Sequence, residues 1–222
     1  MEDMNKYLKC TEIVDCDSAI IKKKARELAR GLKTDKEKAI ALFYFVRDAI
    51  KYNPYDSADR YEYSIASATL KRGYGLCFQK AAVLIAMCRA IGIPARFGFA
   101  DIRNHLMSQR FLDMMCGSNI LVYHGFAEIY LDGKWVIATP AFDLATCQDN
   151  GYIPVEFDGE HDARLHRQSK DGRLHVEYIK SRGSYDDLPW QTIYDAGAEH
   201  VASMGVDVDK FMAKWRTEPA GK

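Results

Sequence analysis

The chain has 222 residues, enough for one ordinary domain with a sizeable core, and 48% of them are hydrophobic. Its 31 basic and 31 acidic residues cancel to a formal net charge of zero. Without a net field to steer it toward nucleic acid or an acidic membrane, neither is expected as a partner.

The opening stretch MEDMNKYLKC has no basic segment followed by an apolar one, so no secretory leader is expected and the expected setting is cytoplasmic. The longest apolar run, around residues 81–87, is far shorter than the roughly 20 residues of a membrane span. Next, Ile20, Ile21, Ala25, Leu28 and Ala29 recur at helical spacing, with Asp17 or Ser18 to cap the helix and Gly31 to stop it. A second helix follows, capped by Thr34 or Asp35, with Ala39, Leu42, Phe43, Val46 and Ile50 along one side. Asn53-Pro54 disfavours helix and opens a loop over residues 53–64.

The stretch GYGLCFQKAAVLIAMCRAIGIPAR, residues 73–96, predicts a helix from about Cys77 to Ala90 that Gly92 and Pro94 terminate. It is apolar on nearly every side, as a buried helix is. Strands come next. ARFGFADI is one, and HGFAEIYLDGKWVIATP reads as a hairpin turning at Asp132-Gly133. In that hairpin His124, Phe126, Glu128 and Tyr130 point one way, and Gly125, Ala127, Ile129 and Leu131 the other. RLHRQSKDGRLHVEYI suggests another hairpin at Asp171-Gly172, and the tail from about Asp195 reads as helix. Helices first, then mostly antiparallel strands, then a mixed C-terminal part make an α+β fold.

Six cysteines, Cys10, Cys16, Cys77, Cys88, Cys116 and Cys147, are scattered without CxxC pairs and are expected as thiols. Cys88, Cys10, Cys16, Cys116 and Cys147 read as packing residues. His161, His166 and His175 are expected as loop residues, and no metal site is expected. No acidic loop of calcium-binding type is present, and no cofactor is expected. Trp135 and Trp190 read as core or interface residues rather than substrate platforms, and His105 as a loop histidine.

Cys77 is the residue with chemistry to explain. A thiol catalyst needs a thiolate, a base and donors for an oxyanion. At a helix N-terminus the free N–H groups and the positive dipole end favour the thiolate and offer those donors. Gly73 and Gly75 let the chain turn tightly just before it. His124, mounted on a strand with apolar neighbours, is the candidate base. Gln79, within the first turn, is a candidate oxyanion donor or a helix cap, and Tyr74 a candidate cleft residue.

A cysteine opening an apolar helix that ends in RAIGIPAR, then a strand, then HGFAEIYLDGKWVIATP, resembles the transglutaminase-like superfamily. AIALFYFVRDAIKY fits the helix preceding the cysteine loop in that family. The resemblance covers about residues 35–145. It implies a papain-like core packed on an antiparallel sheet, with residues 146–222 as a C-terminal extension of one domain, 1–222. It implies Cys77 as nucleophile and His124 as acid and base. The family's third member is an aspartate, usually in Asp-Pro after the tryptophan-bearing strand. Here the position is Thr139, followed by Pro140. A threonine hydroxyl accepts the imidazole N–H bond more weakly than a carboxylate does. Asp143, four residues on, and Glu128, on the face of His124, are the alternatives. The expected activity is hydrolysis of an amide or peptide-like bond in a small-molecule or peptide-like substrate, through an acyl-enzyme on Cys77. The alternatives are acyl transfer by the same dyad and an inactive domain that binds a ligand in the old cleft. No feature of the sequence sets an oligomeric state.

Overall fold

In the computed structural model, which describes residues 3–55 and 60–211, the buried helix predicted around Cys77 is the centre of the core. Three helices surround it: α1 (Ala19–Leu28), α2 (Asp35–Ala49) and α3 (Ala66–Arg72) all pack on α4 (Cys77–Ala90). Thr34 caps α2 as expected. Its hydroxyl accepts the Glu37 N–H at 3.1 Å, and Glu37 Oε2 accepts the Thr34 N–H at 2.9 Å, a reciprocal capping box. Ser18 stands at the N-cap of α1, but its side chain makes no capping bond. Between α2 and α4 the chain forms two short parallel strands, β1 (Lys51–Tyr52) and β2 (Tyr74–Gly75), which deliver it to Cys77. The expected loop over residues 53–64 includes a 3-10 turn at Tyr61–Ser64. Residues 56–59 of that loop lie outside the described residues.

The second layer is one antiparallel sheet in the order β5-β4-β3-β6. Its strands are β3 (Ala95–Asn104), β4 (Ile120–Leu131), β5 (Lys134–Ala138) and β6 (Val176–Tyr185). A short helix, α5 (Gln109–Met114), joins β3 to β4, and α6 (Leu144–Asn150) follows β5. The last described helix with a name here, α7 (Trp190–Ser203), begins just after β6 and packs on β4. The mixed helix and antiparallel sheet is the α+β class expected.

The β4–β5 hairpin turns at Asp132-Gly133, both at positive φ (49° and 85°), as the two-residue turn requires. Its facing agrees with the alternation. Ala127, Ile129 and Leu131 belong to the main core against α4, and Phe126 joins Ala100 and Ile137 in a small cluster on the other face. The second hairpin turns at Asp171-Gly172 as expected but stays short: Gln168 bridges Leu174 between the Ser169 N–H to Arg173 carbonyl and His175 N–H to Arg167 carbonyl bonds, and β6 then pairs with β3. The polar loop carries too few apolar residues to bury a second ribbon, whereas β3 offers β6 a full antiparallel edge.

Two side-chain expectations also change. Cys10 and Cys16 are bonded as a disulfide, closing a loop six residues apart in sequence. His175 is no exposed loop residue. It is 1% exposed and stacked against Tyr152, with ring centroids 3.9 Å apart. Cys88 and Cys147 are buried in the main core as expected. Cys116 is half-buried and ends α5 at positive φ (53°). Trp135 packs against Tyr7 and Tyr130. Among the described residues, no helix is long and apolar enough to cross a membrane.

Candidate active site

The first turn of α4 meets β4 at Gly125. A Cβ placed there would lie 2.6 Å from Phe78 Cβ and 2.9 Å from Phe78 Cα. Glycine is what allows the helix start and the strand to touch. Each contacting residue is followed or preceded by a candidate catalytic one: Cys77 precedes Phe78, and His124 precedes Gly125. Both line one pocket.

The backbone N–H groups of Gly125, Phe78 and Cys77 itself lie on the side of the Cys77 sulfur and act on it electrostatically. These donors favour the thiolate, but burial outweighs them and pushes the thiol above its ordinary value. Burial alone lowers the His124 imidazole to about 4. The resting pair is therefore a thiol and a neutral imidazole rather than an ion pair.

Behind His124 the carboxylate is missing. His124 Nε2 is buried without a hydrogen-bond partner, and the buried Thr139 hydroxyl lies beside the Tyr178 hydroxyl. Thr139 follows the last β4–β5 pair, Ala127 with Ala138. One step beyond that register it stands opposite Phe126, hence diagonal to His124 and on its face. Tyr178, on β6, sets its ring edge toward His124 at 6.4 Å between centroids. The two alternatives to Thr139 are committed elsewhere. Asp143 caps α6, accepting the N–H groups of Thr146 and Tyr52 and the Thr146 hydroxyl at 2.7–3.0 Å. Those bonds hold its carboxyl below the usual range against the opposing cost of burial. Glu128 accepts from Arg96 Nε at 2.6 Å and from the Ser184 hydroxyl at 2.9 Å.

Gln79 is fully buried, and its Oε1 accepts the Leu76 N–H at 2.8 Å, so it serves the helix start. Tyr74 pairs with Lys51 and lies under the Arg72 guanidinium, away from the pocket. His105 pairs with Glu177 at 2.7 Å, also away from it. Trp190, read from sequence as core or interface rather than a substrate platform, packs edge-on against Tyr61 but also lines the pocket, a departure from that reading. Among the described residues no cluster of three or more His, Cys, Asp or Glu side chains is placed to hold a metal.

Three features escaped the sequence reading. Tyr52 lines the pocket beside Cys77, and its hydroxyl is pushed well above its ordinary value by burial. Lys80, one turn after Cys77, is fully buried. Its Nζ donates to the Arg47 carbonyl at 3.0 Å, and burial lowers it to about 7. Tyr123 sits at positive φ (53°) in a β-bulge just before His124. Asp101 accepts the Tyr123 N–H at 3.1 Å and is itself held by Arg182, whose Nη2 donates at 2.7 Å. Bulges of this kind re-aim the neighbouring side chain beside active sites. A Tyr in a strand signals no positive φ, and only the pairing register exposes it.

A protein described as a "putative cysteine protease" from Cytophaga hutchinsonii shares the fold, with a TM-score of 0.53 and 18% identity over 84% of this chain. The chain spans 48% of that protein's length. A "putative protease" from Parabacteroides distasonis matches at a TM-score of 0.38 and 17% identity, over 61% of this chain and 25% of that one. No curated protein matches the chain. The family model for the transglutaminase-like superfamily matches residues 22–140, more than half of the 222, with both Cys77 and His124 inside the match. The chain belongs to the transglutaminase-like superfamily.

Proposed function

We propose that the chain is a cysteine-dependent hydrolase of an amide or peptide-like bond. The observation that carries the reading is Cys77 as the first residue of α4, at the helix N-terminus, in a pocket shared with His124. The Cys77 sulfur attacks the carbonyl carbon as its proton passes to the His124 imidazole. The N–H groups beside the sulfur supply the charge stabilisation, and the Cys77 N–H is placed to hold the oxyanion. As the C–N bond breaks, His124 returns the proton to the leaving amine. Water then adds to the thioester, releasing the acid and restoring the thiol. An amine in place of water turns the same intermediate to acyl transfer, and product analysis with added amine separates the two.

Because the resting pair is neutral, proton transfer accompanies attack instead of preceding it. The rate of Cys77 alkylation by iodoacetamide is expected to rise with pH through neutrality toward the raised thiol value, without a plateau below pH 7. In His124→Ala, acyl-enzyme formation from an activated ester is expected to fall by about 100-fold or more, read by intact mass. A Cys77 that takes no acyl group from any activated ester or amide, in folded protein, overturns the reading.

One observation favours a second reading, a catalytically inactive ligand-binding domain: no carboxylate meets the buried His124 Nε2. It predicts that Cys77 alkylation is indifferent to His124→Ala.

A further inference from the structure

Besides Tyr52, the pocket that contains Cys77 and His124 has walls from α4, β4, α5 and α7. The first turn of α4 gives Leu76 and Phe78, and β4 gives Leu121 and Tyr123. Phe111 comes from α5, and Trp190 and Ile193 from α7. Among the described residues on its wall none carries a carboxylate, an ammonium or a guanidinium. The second imidazole on the wall, His200, is engaged, with Nε2 2.9 Å from the Ser118 hydroxyl. The cavity volume is about 180 Å³, room for a side chain or short acyl chain.

Gly197 gives a second, independent observation. It lies inside α7 and on the pocket wall, and a Cβ added there would meet no heavy atom within 4 Å. A glycine inside a helix costs about 1 kcal/mol relative to alanine. No close backbone approach calls for it here, and its φ is not in the left-handed region. What its missing side chain provides is volume in the pocket.

We propose that this pocket binds the acyl portion of the substrate and selects an apolar one, aromatic or aliphatic, over a polar or charged one. The proposal rests on the reading of Cys77 as nucleophile. The acyl portion is the part that stays on the sulfur after the leaving group departs. Uncharged walls around the thioester reward each methylene transferred from water and penalise a charged group that finds no partner.

The test is a rate series on the full chain. p-Nitrophenyl esters of acetic, butyric, hexanoic, octanoic and phenylacetic acids are compared by release of nitrophenolate, with the half-ester of glutaric acid as the charged control. A second series holds the acyl group at acetyl and lengthens the leaving alkanethiol. The expected result is a rise in kcat/KM of about fourfold per methylene in the first series until the pocket is filled. The glutaric half-ester should react at least about 100-fold more slowly than the hexanoyl ester. Gly197→Leu should lower the octanoyl-to-acetyl rate ratio at least tenfold, while its thermal unfolding temperature stays level or rises. Equal rates across the acyl series, or chain-length dependence confined to the leaving thiols, overturn the apolar acyl assignment and leave Cys77 as nucleophile. A ratio unmoved by Gly197→Leu overturns the assignment of this pocket. Absence of acylation at Cys77 by every ester overturns both this proposal and the reading beneath it.

Discussion

His124 has one ring nitrogen buried without a partner, and Thr139 presents a buried hydroxyl beside that of Tyr178. Thr139 stands where the superfamily usually places aspartate. A carboxylate there would accept the imidazole N–H and stabilise the imidazolium; a hydroxyl offers a weaker, neutral acceptor. Thr139→Asp is therefore expected to raise the His124 pKa from about 4 by roughly 1–2 units, the worth of one charge-assisted bond. The pH dependence of Cys77 alkylation should move to lower pH in step. An NMR titration of the His124 ring reads the first effect and alkylation kinetics the second. A ring that titrates unchanged would show that position 139 does not address Nε2. At this scale the sequence displayed the candidate nucleophile, the candidate base and the departure at 139. It did not display that Glu128 is held by Arg96, 32 positions away, or that Asp143 also accepts the Tyr52 N–H, 91 positions away, because neither partner is near in the chain.

The junction between α4 and β4 is where two elements become a site. Gly125→Ala is expected to push the Phe78 backbone away, since the added carbon has neither a flexible neighbour nor empty space to use. Overpacking of that kind costs about 1–3 kcal/mol in stability, which urea denaturation measures. The displacement also separates Cys77 from the Gly125 N–H, so acyl-enzyme formation should fall by more than the loss of folded protein explains. Retained activity at full rate would show that the contact is incidental. The helices α2 and α4 and the β4–β5 hairpin were legible because each carries its own local signals: a capping box, a Gly-then-Pro stop and an Asp-Gly turn. The pairing of β6 with β3 was not legible. Strand partners chosen across 72 or more intervening positions leave no local mark, and the nearby Asp171-Gly172 turn pointed only to the short local pairing.

Three buried bases give the whole molecule its pH response. His124 and His175 are held near 4 in the fold, and the unfolded chain protonates such rings at about 6.5. Between those values the unfolded state binds more protons, so the stability present above about pH 6.5 is lost as pH falls toward 4. Lys80, lowered to about 7 against an ordinary 10.5, acts with the same sign at higher pH. Asp143, held below its ordinary value, adds a loss only at more acid pH. Stability is expected to be greater at pH 8 than at pH 5, by roughly 4 kcal/mol. His175→Phe keeps an aromatic ring beside Tyr152 and Phe142 and should remove much of the acid-side loss. Urea midpoints at the two pH values for both proteins check this, and parallel curves would exclude His175 as a contributor.

The Arg89 guanidinium, near the end of α4, donates to the carbonyls of Ala95, Lys9 and Asp186. Asp186 lies in the short link from β6 to α7, so the helix bearing Cys77 also anchors the helix bearing Gly197. α7 lies beyond residues 22–140, the span that matches the superfamily. The candidate nucleophile thus lies inside that span and one wall of its pocket outside it, joined through Arg89, the His200–Ser118 contact and the packing of α7 on β4. Under the proposed acyl selectivity, exchanging residues 190–203 for another helix, with Arg89 and Asp186 retained, changes one wall of the pocket while Leu76, Phe78, Leu121 and Tyr123 keep the others.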